Sequence, residues 1–244
     1  MEMDMHSRNV TKAPPWNLLG CAQLERVPLI EFDRLLRPCQ RAVILATHPF
    51  DEVLACGGLL QILSLRGHAL QLISVTDEIC AGDPPPQGRS VAQALENSDS
   101  LRRLGIPALQ MKWVRGRFPP NRLAARHDSL LDFLLRYLRP NDVVFSPWRY
   151  DGDPDREAVA NAARDACELL GTRLVEMPIQ AWQWASGEDV SLPWRQSRKL
   201  VLDHPTLARK RHAINSQASG ALDWLACRSD ERRHLQLHYE LFIL

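Results

Sequence analysis

The stretch Ala42-Val-Ile-Leu-Ala-Thr47, followed at once by His48-Pro49-Phe50-Asp51-Glu52 and then by Val53-Leu-Ala-Cys-Gly57-Gly58-Leu59-Leu60, decides the fold. Ala42–Thr47 is a short apolar run without polar alternation, as expected of a strand buried on both faces of a parallel sheet. Asp51–Arg66 carries Val53, Leu54, Leu59, Leu60, Leu63 and Leu65 over a helix-length segment, and Gly67 stops it. Leu70–Thr76 (LQLISVT) reads as the next strand.

The same alternation runs outward from this unit. Ser90–Leu104, with Gly105 behind it, reads as a helix and Leu109–Val114 as a strand. Asn121–Leu138 is a helix ended by Pro140, Asp142–Trp148 a strand, Asp155–Leu170 a helix stopped by Gly171, and Arg173–Trp182 a strand. From Lys199 onward the pattern gives a strand, a basic helix over Pro205–Ala218 and a short terminal segment. Together these predict an α/β fold: a Rossmann-like parallel sheet with helices on both faces, joined by right-handed crossovers. The reading makes residues 1–30 a loosely patterned N-terminal segment and 31–244 one domain, with a C-terminal extension from about residue 199. Asp83-Pro-Pro-Pro-Gln-Gly88 is expected as an exposed loop, because proline removes backbone donors.

Composition narrows the function classes. The 244 residues include 30 Lys/Arg and 29 Asp/Glu, and a formal net charge of +1 excludes a protein that coats nucleic acid. Residues 195–234 hold a local basic excess, including Arg209-Lys210-Arg211-His212, which reads first as a solvated helix face. No apolar run approaches the ~20 residues of a membrane helix. The N-terminus, with Glu2, Asp4 and His6, has no apolar leader core. Six cysteines (Cys21, Cys39, Cys56, Cys80, Cys167 and Cys227) are widely spaced without a C-x-x-C pair, the pattern of reduced thiols in a cytoplasm. A soluble cytoplasmic protein is the expectation. Dinucleotide, P-loop and G-x-S-x-G signatures are all lacking.

In open α/β sheets ligands bind beyond the carboxyl ends of the strands, which directs attention to the loops there. His48 falls at the end of the first strand and Asp51 in the first turn of the helix that follows. Three residues apart across such a turn, an imidazole and a carboxylate can converge, and both are ligand types that zinc accepts. Each also has an ordinary reading. Acidic residues at a helix start gain about 0.3–1 kcal/mol from the dipole, and His48 is equally a hydrogen-bonded loop histidine. The lone His127 and His204 read as exposed or hydrogen-bonded side chains.

Residues 47–60, THPFDEVLACGGLL, resemble the first loop and helix of the PIG-L/LmbE family of metal-dependent de-N-acetylases, where the loop reads A-H-P-D-D-E. Thr76-Asp77-Glu78 is similar to the family's T-D-G, and Trp148-Arg-Tyr-Asp-Gly-Asp-Pro-Asp155-Arg156-Glu-Ala-Val159 to its H-P-D-H or D-P-D-H element. The likeness spans about residues 40–182. It implies zinc held by the first-loop His, the second Asp and the last His of the later element. The first Asp acts as general base in hydrolysing an N-acetyl group, commonly on an amino sugar.

Carried over residue by residue, His48 and Asp51 match the first two metal ligands, but Phe50 stands at the base position and Arg156 at the third-ligand position. A phenyl ring accepts no proton, and losing general-base help typically costs 10²–10⁴ in rate. Arginine offers no lone pair and repels a dication. The expectation is that Arg156 replaces the metal as local cation, paired with Asp51 and with Asp153 or Asp155, and that zinc binding is weak or absent.

Three functional readings follow. The first is a catalytically impaired N-deacetylase-like protein, a pseudoenzyme with a retained sugar-like binding cleft. The second is an active metal-dependent enzyme whose site is rebuilt from Asp151, Asp153 and Asp155, with Asp153 the catalytic candidate. The third is a non-enzymatic interaction protein. Under the first, Trp148, Arg149, Tyr150, Arg156 and Trp182 are the candidate ligand-contacting residues. Trp184 and Trp194 join the same aromatic group, whose alternative is core packing. A small-molecule or glycoconjugate ligand is the expected partner, with no nucleic acid and no membrane span.

Overall fold

The computed structural model describes residues 22–77, 98–184, 192–215 and 237–244. Outside them lie the expected loop Asp83–Gly88, Glu78, the start of the helix expected from Ser90, the last residues of the helix expected to reach Ala218, and Cys21, Cys80 and Cys227.

Seven strands form one sheet in the order β3-β2-β1-β4-β5-β7-β6. They are β1 (Arg41–Ala46), β2 (Leu70–Thr76), β3 (Met111–Phe118), β4 (Asp142–Pro147), β5 (Arg173–Met177), β6 (Ser197–Val201) and β7 (Tyr239–Ile243). The first five are parallel, with β1 at the centre between β2 and β4. The C-terminal pair departs from the expected all-parallel sheet, because β7 lies antiparallel to both β5 and β6.

The eight helices named here are α1 (Ala22–Arg26), α2 (Phe32–Leu35), α3 (Asp51–Leu65), α4 (residues 98–103), α5 (His127–Tyr137), α6 (Pro154–Leu170), α7 (Ala181–Trp184) and α8 (His204–Asn215). Strand alternation sends Ala42, Ile44 and Ala46 to the face covered by α3, and Val43 and Leu45 to the face covered by α5 and α6. That is why this run is apolar throughout: both faces of β1 are inside. Of the N-terminal segment, residues 28–30 run along the β6 edge, where Ile30 N–H donates to Lys199 O at 2.8 Å and Lys199 N–H to Pro28 O at 2.9 Å.

Two segments are shorter than periodicity predicts, and the strand expected over Leu109–Val114 runs instead over Met111–Phe118, behind a 3₁₀ turn at Ala108–Gln110. The strand expected over Arg173–Trp182 stops at Met177, because Pro178 cannot donate and the Asp151 carboxylate then takes the N–H groups of Ile179, Gln180 and Ala181. The helix expected from Asn121 starts as a 3₁₀ turn at Leu123–Arg126, while Asp155 accepts the N–H groups of Asn121 and Leu123.

Helix α3 is kinked at Cys56, whose φ/ψ of −141°/28° are not helical. The kink frees N–H groups inside the core, and Glu240 of β7 accepts from Gly58 at 2.6 Å and Leu59 at 2.8 Å. Lys210 of α8 completes the arrangement with a 2.6 Å ion pair to Glu240. The C-terminal extension is thereby fastened to the helix of the motif. A Cβ at Gly58 would run into the Leu202 side chain and stand 3.0 Å from the Glu240 carboxylate, so any larger residue makes Leu202 shift. At Gly57 the nearest atom would be 3.4 Å away, in ordinary contact. Among the described residues no helix is long and apolar enough to cross a membrane.

Candidate active site

The turn after β1 is closed by its own residues. Asp51 Oδ2 accepts the His48 N–H at 3.0 Å, and the Asp51 N–H returns to His48 O at 3.2 Å. Between them Phe50 takes φ +83°, a left-handed backbone that L side chains seldom adopt, at the N-cap of α3. Its ring turns into the α3 core and is 1% exposed. The position where the resemblance places a proton acceptor thus holds a buried hydrocarbon.

Arg156 enters from the first turn of α6. Asp153 is the N-cap of that helix and accepts the Arg156 N–H at 2.9 Å, which fixes the residue, and Pro154 supplies a φ suited to N1. The guanidinium then crosses to Asp51. Nη2 donates to Oδ1 at 2.8 Å, and Nε reaches Oδ1 and Oδ2 at 3.3 and 3.2 Å. Nη1 donates to Gln180 Oε1 at 3.0 Å, and stands 3.9 Å from Asp151 and 3.7 Å from Asp153. Both partners of the central pair are out of solvent, Arg156 at 0% and Asp51 at 1%. On the outer side His48 Nε2 lies 3.3 Å from Asp153 Oδ1.

The electrostatics follow from this enclosure. Burial works against the Arg156 charge, yet Asp51, Asp151 and Asp153 hold its pKa above its ordinary value. Complete burial pushes the Asp151 carboxyl up to about 6, against the pull of Arg156 and three backbone N–H groups. Burial also raises Asp153, but its bond to His48 and the Arg156 charge outweigh it and hold the carboxyl well below the usual range.

The implied zinc does not fit these residues. Both Asp51 oxygens are engaged by the guanidinium, and that guanidinium has no lone pair to give a metal. Among the described residues no cluster of three or more His, Cys, Asp or Glu side chains is arranged to hold a metal ion. Asp151 and Asp155, expected as spare carboxylates, are committed to backbone N–H groups of the 179–181 and 121–123 segments. Asp153 alone reaches His48. Chemically the arrangement is a buried ion pair held by charge-assisted hydrogen bonds.

A family model described as GlcNAc-PI de-N-acetylase, PIG-L, matches residues 43–167. The chain belongs to the PIG-L family. No curated protein matches it closely enough to count. Among solved structures, the PIG-L chain is similar to the zinc-inhibited form of a teicoplanin deacetylase at TM-score 0.65 and 14% identity, covering 84% of this chain and 97% of that one. It is also similar to the N,N'-diacetylchitobiose deacetylase of Pyrococcus horikoshii (TM-score 0.54, 14% identity, coverage 87% and 86%). A conserved protein of Thermus thermophilus matches at TM-score 0.52 and 20% identity, covering 83% and 93%. At these identities the likeness establishes the fold alone.

The remaining candidates are distributed around this pair. Arg149 and Tyr150 leave the same loop after β4, Arg149 bonding to Glu176 and Tyr150 standing 59% exposed. Trp148, expected as a ligand-contacting residue, is 2% exposed and packs with Ala181, Leu192 and Ile243. Trp182 packs beside that cluster with Trp194 and donates Nε1–H to Pro178 O. The side chain of Trp184 lies outside the described residues. Arg156, also expected at a ligand, is wholly enclosed. His127 pairs with Asp165 at 3.0 Å, and His204 is exposed at the start of α8. Two participants had no sequence motif to reveal them: Gln180, the second side chain to which the Arg156 guanidinium donates, and Glu176, which fixes Arg149 from inside a strand.

Proposed function

We propose that this PIG-L chain does not carry out metal-dependent N-deacetylation, and that it acts by binding a saccharide-type ligand that it leaves intact. The observation that carries this reading is the buried Arg156–Asp51 pair, which takes up the carboxylate a metal would use and puts a fixed positive charge beside it. Phe50 removes the proton acceptor in the same turn. The ligand class is supported by structural neighbours whose names record deacetylation of teicoplanin and of N,N'-diacetylchitobiose.

A site rebuilt on Asp151, Asp153 and Asp155 is less well supported, since two of the three already cap backbone segments. Zinc titration of the native protein by calorimetry, with metal analysis after gel filtration, tests the proposal. The expected result is bound zinc far below one equivalent, together with no zinc-stimulated amine release from N-acetylglucosamine or diacetylchitobiose. One tightly held zinc per chain, or zinc-dependent amine release, overturns it.

A further inference from the structure

The loop after β4 has a second side. Asp151 and Asp153 turn towards Arg156, whereas Trp148, Arg149 and Tyr150 line a cavity of about 340 Å³ whose lining includes none of His48, Asp51 or Arg156. The cavity lies against β5 on the face away from α3. Leu174 packs with the α5/α6 cluster, whereas Val175 and Met177 belong to the other one. Glu176, Gln196 and Ile243 complete the part of the wall that matters here.

Its polar groups form one rigid unit. Arg149 donates through Nε and Nη2 to Glu176 Oε1 and Oε2, both at 2.9 Å, and its backbone N–H adds a third bond to Oε1 at 3.1 Å. Glu176 is 5% exposed, so the fork is anchored, and the two charges cancel. A fixed donor edge beside a fixed acceptor edge suits hydroxyl groups, which accept from one and donate to the other. An anion would meet Glu176 and a cation would meet Arg149. Tyr150 is 59% exposed and is braced edge-on by Trp148, with ring centroids 5.8 Å apart, so it offers an aromatic surface at the mouth. The volume, about 340 Å³, is at the small end of the roughly 300–1,000 Å³ of ligand sites, which favours a ligand of one ring over a longer chain of rings.

We infer that the cavity between the Trp148–Tyr150 loop and β5–β7 binds a neutral, polyhydroxylated ring of monosaccharide size, held by the Arg149–Glu176 fork and Tyr150. The inference rests on the non-hydrolytic binding reading above and gives that ligand a place separate from the Arg156 pair.

Saturation-transfer NMR and calorimetry on the full chain would compare glucose and N-acetylglucosamine with glucuronate and glucosamine. The neutral sugars are expected to bind at least tenfold more tightly than either charged one. Tyr150→Ala, at an exposed position, should weaken the neutral sugars about 3–10-fold without changing the melting temperature. Gln196→Trp, on the exposed rim, should fill the cavity and abolish binding. Equal binding of charged and neutral sugars overturns the inference. So does neutral-sugar binding that ignores both variants, an outcome that leaves saccharide binding itself intact. Absence of binding by all four probes removes the cavity and the ligand half of the proposed function together, while the zinc result stands separately.

Discussion

Replacing Arg156 by methionine removes one cation from a compartment built of carboxylates. The side chain is 0% exposed, and its main partner Asp51 and neighbour Asp151 are 1% and 0% exposed. Methionine keeps much of the volume, so the dominant effect is electrostatic: buried carboxylates are left without their counter-charge. Breaking a buried ion pair from one side typically costs about 3–5 kcal/mol. For a chain of this length each kcal/mol shifts the melting temperature by about 2–4 °C, so the variant should melt about 10 °C lower at pH 7. The deficit should shrink as the pH falls, because the stranded carboxyls take up protons and their burial becomes cheaper. Asp51→Asn combined with Arg156→Met should regain part of the loss, since it removes a stranded charge together with its partner. Circular dichroism melts of the native chain, both single variants and the double variant at pH 5 and 8 give the coupling energy. A melting temperature within 2 °C of native for Arg156→Met, or strictly additive variants, refutes the argument that this pair replaces a bound ion.

Three further outcomes follow from the same geometry. The double substitution Phe50→Asp with Arg156→His should restore close to one zinc per chain by metal analysis, because it returns a proton acceptor and a lone-pair donor; a folded double variant that ignores zinc would place the ligand positions elsewhere. Asp151 has a folded-state value of about 6 against an ordinary 3.8, so between these values the folded chain holds a proton that the unfolded chain has released. Its contribution to stability is therefore present below about pH 4 and lost as the pH rises through 6, and Asp151→Asn should flatten that part of a chemical-denaturation profile. Gly58→Ala should cost about 1–3 kcal/mol by pressing on Leu202 and the Glu240 carboxylate, whereas Gly57→Ala should be close to neutral in the same urea titration.

The parallel half of the sheet is legible because each strand is bracketed by its own turn or helix and β1, β2 and β4 are buried almost throughout, whereas β3, with only Val114 buried, is placed by the alternation alone. The antiparallel β7 is not, since its pairing with β5 and β6 is a matter of where a five-residue segment is delivered. The kink in α3 is equally invisible. Gly57-Gly58 announces close packing, but the carboxylate that receives the freed N–H groups sits 182 residues away at Glu240. At the site, motif spacing is enough to bring Arg156 to Asp51, because both positions are fixed by the first turn of a helix behind a parallel strand. Spacing says nothing about which of Asp151, Asp153 and Asp155 has oxygens to spare. Each is an acidic residue in one turn, and only the folded loops reveal that Asp151 caps 179–181 and Asp155 caps 121–123. Gln180 is hidden for the same reason, since it is delivered by a loop whose N–H groups Asp151 holds.

The departures at positions 50 and 156 make sense as one change rather than two. In the arrangement that the family motif implies, a dication faces two carboxylates from the first loop, and the charges balance. Here one of those carboxylates is a phenyl ring, and the remaining Asp51 faces a single guanidinium. Within this pair charge is balanced again, at half the magnitude, while Asp151 and Asp153 stand 3.9 and 3.7 Å from the guanidinium. Either change alone leaves a buried excess: arginine beside a bound dication is repulsive, and phenylalanine beside one leaves the dication under-neutralised. On the proposed reading, compensation accounts for a family fold around a site that lacks the groups that would activate water. The turn holds Phe50 in a left-handed backbone and is closed between Asp51 and His48, α6 has its Asp153 cap, and the cation is covalently part of the chain. A cation that cannot dissociate stabilises the loops after β1 and β4 at every zinc concentration. On that reading the arrangement gains a fixed link between the loops after β1 and β4 at the loss of an open coordination position.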